Sequence, residues 1–134
     1  MEITKKYDLF NNVHFLGSVS GNEKERFFSR INFSVLASLM FDNLPLSVAE
    51  SMVREVPAVA NSIGGIPELI DDEINGLLAR PYDYNDLAEK IEYMLSNKYD
   101  LKEFGKNGRK KVMELLSAER HLSRLINIYN NIYN

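Results

Sequence analysis

The chain is 134 residues long, 45% apolar and 26% charged, with a net charge of −3, the usage of an ordinary globular domain large enough to hold a core without staples. Zero cysteines exclude disulfides, thiolate metal sites and cysteine nucleophiles, and two histidines, His14 and His121, are too few for a histidine-built metal centre. Lys and Arg scattered under a negative net charge argue against nucleic acid, and no apolar run approaches the roughly 20 residues of a membrane span. The chain reads as soluble and cytoplasmic, one domain over residues 1–134.

In chain order, short apolar runs bounded by turn residues predict buried strands at Val13–Leu16, Phe33–Ala37, Pro57–Ala60 and Gly76–Ala79. A short helix around Glu23–Ser29 precedes the second run. A longer one, Pro45 to about Arg54, separates the second from the third and carries Leu46, Met52 and Val53 with Val48 or Ala49 on one stripe. Strands alternating with helices imply an α/β fold with parallel pairing. After Pro81 only helical periods remain. Leu87, Ala88, Ile91, Met94 and Leu95 follow Asp83 or Asn85 as cap. A second helix runs from about Leu101 to Leu116, its start blurred by Gly105 and Gly108. The last, capped by Ser117, spaces Leu122, Leu125, Ile126, Tyr129, Ile132 and Tyr133 as a stripe that ends in two tyrosines, as if to dock on something other than its own core.

The segment Ser38–Glu50, SLMFDNLPLSVAE, leaves a strand and opens a helix, the place where open parallel sheets bind ligands. Pro45 suits the first helical position, which leaves the amides of Leu46 and Ser47 unpartnered at the positive end of the helix dipole. That is an anion site suited to phosphate. Asp42 and Glu50 flank it, and a carboxylate beside bound phosphate can take two neighbouring sugar hydroxyls; a nucleotide sugar has both features. From spacing alone, Asp42 is equally a dipole-favoured cap and Glu50 a solvated helix residue. After the third strand, Gly64-Gly65 frees the backbone for positive φ and for close approach of a ligand, and Pro67 begins a short helical turn.

These residues resemble, in order and spacing, the C-terminal half of retaining, nucleotide-sugar-dependent glycosyltransferases of the GT-B fold (the glycosyl transferases group 1, family-4-like), among them bacterial lipopolysaccharide and capsule enzymes. The match runs through NVHFLG, FSVLAS, FDNLPLSVAESM, VPAVANSIGGIPELI and DDEINGLLARP, from Asn12 onward. The family's hallmark, an acid, seven residues and a Glu, falls on Asp42 and Glu50. The resemblance implies a Rossmann-like parallel sheet with flanking helices and a helical C-terminus. It implies that Glu50 holds the ribose hydroxyls and that Asp42, with Asn43 and Leu44 beside it, lies near the donor sugar. The amides around Leu46 and Ser47 would meet the diphosphate, the nucleotide base would rest near Ser18 and Val19, and Gly64 and Gly65 would belong to the donor site. The implied donor is UDP- or GDP-linked, with no metal and no cofactor. The full-length enzyme would be cytoplasmic or peripheral at the inner face of the membrane.

Asp42 replaces the family's usual Glu, and Glu55 stands where the helix usually ends in Gly, so it must either adopt the left-handed conformation or end the helix differently. The family's opening strands, its Lys and Arg for the diphosphate and its acceptor-binding N-terminal domain have no counterpart before Asn12. The sheet is therefore expected to close by pairing the Val13 strand beside the Phe33 strand, or through a second copy. The transfer reaction is not expected of these residues by themselves. The other reading is a non-catalytic nucleotide- or protein-binding α/β module. Asp71-Asp72-Glu73 is a polar turn rather than a metal cluster, and Lys106, Arg109, Lys110 and Lys111 form a solvated helix face. Ser18, Ser38 and Ser47 lack a His and Asp partner for nucleophilic hydrolysis.

Overall fold

The computed structural model describes residues 2–133, and the side chains of all but Lys98, Tyr99 and Tyr133 among them. It divides into two compact units, Met1–Arg30 and Ile31–Asn134. In the first, α1 (Glu2–Lys6) and α2 (Gly21–Phe28) flank an irregular stretch. Leu9 donates to the Thr4 carbonyl at 2.8 Å and Val13 to Leu9 at 3.0 Å, a turn that ends in extended chain rather than in a strand.

The run Val13–Leu16 is therefore a correction: it forms no strand pairing among the described residues, and Phe15 and Leu16 are about 60% exposed. The expected pairing of this run beside the Phe33 run is absent as well, because β1 pairs only with β2 among the described residues. A parallel strand exists only through its neighbours' hydrogen bonds. An apolar run without them is not a strand.

The second unit contains β1 (Ser34–Leu36), α3 (Leu46–Val53), β2 (Ala58–Asn61), α4 (Ile66–Leu69), β3 (Gly76–Ala79), α5 (Tyr84–Ser96), α6 (Lys98–Leu115) and α7 (Ala118–Tyr133). The sheet is parallel in the order β1-β2-β3, with Leu36 opposite Ala60 and Val59 opposite Leu77. Alternation along β2 sends its side chains to opposite faces. Ala58 and Ala60 pack with Val48, Ala49 and Met52 of α3, Ile66 and Leu69 of α4 and Val112 of α6, while Val59 packs with Leu77, Met94 of α5 and Phe104 of α6. Both faces of β2 are thus covered, which is why it reads as a continuous apolar run.

Helix ends follow local chemistry. Asp83 caps α5 by accepting from the Asp86 amide at 3.0 Å, and the Ser117 hydroxyl accepts from the Arg120 amide at 3.3 Å at the start of α7. α3 ends as a Schellman motif, in which Glu55 donates to Met52 and Val56 to Ser51. Glu55 takes the left-handed position that favours glycine, at φ +59°. Arg109 of α6 closes the same end, donating to the Val53 carbonyl at 2.7 Å. Buried Ser51 donates to Val56 at 2.8 Å and meets the Ser34 hydroxyl at 2.9 Å, which ties α3 to β1. On α7 the stripe residues Leu122, Leu125, Ile126, Tyr129 and Ile132 are all exposed; the Tyr133 side chain lies outside the described residues.

Candidate functional site

At the carboxyl ends of β1 and β2 the chain leaves a cleft of about 460 Å³. Its walls are Leu36 and Ser38 at the end of β1, the loop Met40–Asn43, Pro45, Leu46 and Ser47 at the start of α3, and Ile66 of α4.

Pro45 occupies the cap rather than the first helical position. Its φ of −70° suits a helix but its ψ of 98° is extended, so Leu46 begins the helix. The Pro45 carbonyl accepts from Val48 at 3.0 Å and from Ala49 at 3.3 Å. Among the described residues, the amides of Leu46 and Ser47 have no acceptor, and both residues are exposed in the cleft wall. The two open amides are thus the same residues that a proline at the first helical position implies, although the helix itself begins one residue later.

Asp42 is exposed and folds back as an Asx turn, its Oδ1 accepting from the Leu44 amide at 3.1 Å. Oδ2 has no partner among the described residues. Asn43 sits beside it in the cleft wall, whereas Leu44 turns partly into the core beside α3. Glu50 is half-buried and does not line the cleft. It follows Leu46 by one turn, about 6 Å along the axis on the same helix face. Ser18 and Val19 belong to the first compact unit.

The glycine pair lies against the chain's own β1–α3 loop. Gly64 has φ +59°, and a Cβ there would lie 2.5 Å from the Asp42 carbonyl oxygen; a Cβ on Gly65 would fall inside the Asn43 carbonyl. The group that approaches these glycines is the chain's own loop. The Gly65 amide donates to the Asp42 carbonyl at 2.7 Å. Ser38, Met40 and Phe41, within the segment that the sequence points to but not among its candidate residues, and Ile66 at the start of α4 also line the cleft. No Lys or Arg is among the wall residues. Among the described residues no His, Asp or Glu cluster has a metal-ligating arrangement. Asp71, Asp72 and Glu73 instead make a turn in which Asp72 accepts from the Leu78 amide and Asp71 meets Lys111.

Residues 2–111 match the family model described as glycosyl transferases group 1. The chain belongs to this family. It is 33% identical over 104 residues to a trehalose synthase of Thermococcus litoralis, which covers 78% of this chain and 25% of that protein. It is 32% identical over 98 residues to a poly(ribitol-phosphate) alpha-N-acetylglucosaminyltransferase of Staphylococcus aureus, covering 72% of this chain and 20% of the relative. Among solved structures, a point mutant of S. aureus TarM in complex with fondaparinux, alpha-GlcNAc-glycerol and UDP superposes with a TM-score of 0.84 at 27% identity, over 96% of this chain and 26% of that one. This member of glycosyl transferases group 1 thus spans about a quarter of the length of the curated relatives it matches. The solved structures it resembles are GT-B glycosyltransferases.

Proposed function

We propose that this chain is the donor-binding part of a retaining glycosyltransferase that uses a UDP- or GDP-linked sugar without a metal ion and builds a bacterial surface polysaccharide or lipopolysaccharide. The observation that carries the reading is the pair of unpartnered amides, Leu46 and Ser47, opening beside the free Oδ2 of Asp42. As the bond from the sugar to the diphosphate breaks, negative charge grows on the leaving phosphate. Fixed N–H donors at a helix start meet that charge without reorganising, which lowers the barrier. Asp42 then accepts from hydroxyls of the donor sugar, and Glu50, one turn along α3, accepts from the ribose. The relative solved with UDP and the relative named for transfer of N-acetylglucosamine to poly(ribitol-phosphate) support the donor class and the polymer product.

The acceptor would be read by a second, N-terminal domain, and these 134 residues alone would bind donor without transferring it. With no cation in the cleft wall, donor affinity is weak, since the helix end contributes only about 0.3–2 kcal/mol. Calorimetry with UDP, GDP and their sugars, with and without EDTA, tests this. Saturable binding indifferent to EDTA is expected. Binding that vanishes with the chelator overturns the metal-free reading, and no binding of any nucleotide overturns the donor site.

A further inference from the structure

Asn61, the last residue of β2, is a polar side chain only 4% exposed. Its Nδ2 donates to the Ser38 carbonyl at 3.2 Å, across from the end of β1. Four residues later the Gly65 amide donates to the Asp42 carbonyl at 2.7 Å. The two bonds grip the β1–α3 loop at both ends of Ser38–Asp42, where Met40 and Phe41 are strongly exposed. Between them the missing Cβ atoms of Gly64 and Gly65 let the loop lie directly on the β2 turn.

We infer that Asn61 and Gly65 are positioning residues that set the height of the Asp42 carboxylate over the Leu46 and Ser47 amides. A buried amide is retained where its hydrogen bond fixes a geometry. Here the side-chain bond joins the end of β2, which pairs with Ala79 of β3, to the β1–α3 loop beyond the last β1–β2 pair, Leu36 with Ala60. Without it the loop keeps the Gly65 bond and two internal turns, Asp42 with Leu44 and Ser38 with Met40, and the acid drifts relative to the anion site. The consequence for binding rests on the donor-site reading above; the consequence for the loop does not.

The test uses the 134-residue chain with Asn61→Ala and Gly65→Ala, measured well below their melting temperatures. Backbone hydrogen exchange over residues 39–43 reports the loop, and titration with UDP-glucose and GDP-mannose reports the site. Asn61→Ala is expected to speed exchange of those amides at least tenfold and to weaken donor binding about tenfold, with exchange in α5 unchanged. Gly65→Ala, whose Cβ has no room, is expected to do the same more strongly; if it does not fold, Asn61→Ala decides. A role confined to stability would lower the melting temperature and leave binding at low temperature untouched. That result, or unchanged exchange at residues 39–43, overturns the inference. Faster loop exchange in a protein whose parent binds neither donor upholds the loop clamp and overturns the donor-site reading instead.

Discussion

Gly105 on α6 lies so close to the carbonyl of Glu55 that a Cβ at position 105 would overlap the Glu55 oxygen. The contact lets α6 cross the C-terminal end of α3, where Arg109 takes the Val53 carbonyl. Gly105→Ala is expected to destabilise the protein by about 1–3 kcal/mol despite the gain in helix propensity, because backbone cannot give way. Gly108 makes the control: a Cβ there meets the flexible end of Met52 at 3.1 Å, so Gly108→Ala should be nearly neutral. Urea denaturation of the pair separates close approach from propensity.

Glu55 itself holds a left-handed conformation at φ +59°, and its carboxylate reaches Arg109 only at 4.0 Å with both side chains half-exposed. The strain outweighs such an ion pair. Glu55→Gly is expected to stabilise the fold by about 0.5–1 kcal/mol, read as a higher urea midpoint at unchanged slope.

The start of α5 contributes to the acid limb of stability. The Arg80 amide donates to Asp86 at 2.6 Å, and that bond, with the Arg80 and Lys90 charges against some opposing desolvation, holds the Asp86 carboxyl below the ordinary carboxylate range. A lowered folded value gives stability that is present above the unfolded value and lost as pH falls through the folded one, so the loss begins under about pH 4. Tyr93 has the opposite sign: its hydrogen bond to Asp100 raises the phenol, and the stability it adds below pH 10 is lost as pH rises further. Thermal melts from pH 2 to 7 should fall less steeply for Asp86→Asn than for the parent.

Glu50 is expected to matter for nucleotide. Glu50→Ala should weaken UDP by about 1–3 kcal/mol, since a hydrogen bond to a charged acceptor is lost. Unchanged UDP affinity would remove Glu50 from the site.

The parts legible in the sequence are those fixed by local chemistry. Gly76–Ala79 is β3 to the residue, the Pro57–Ala60 run is β2 shifted by one, and the Asp83 and Ser117 caps hold. Val13–Leu16 has the same appearance and is no strand, because pairing is set by neighbours that a run of four residues does not reveal. Pro45 fits both cap and first turn by its φ, and only ψ separates them. The glycine pair signals close approach correctly, but which group approaches is a tertiary fact. Asn61 carried a faint signal, a polar residue closing a buried run, and its partner 23 residues earlier is visible only in the fold.

The most direct measurement follows the backbone amides of Leu46 and Ser47 by ¹⁵N NMR as UDP is added. Saturable downfield shifts centred on these two amides, with the neighbouring Asp42 loop responding, are the expected result. Millimolar UDP that leaves both resonances in place, or that moves others instead, contradicts the account.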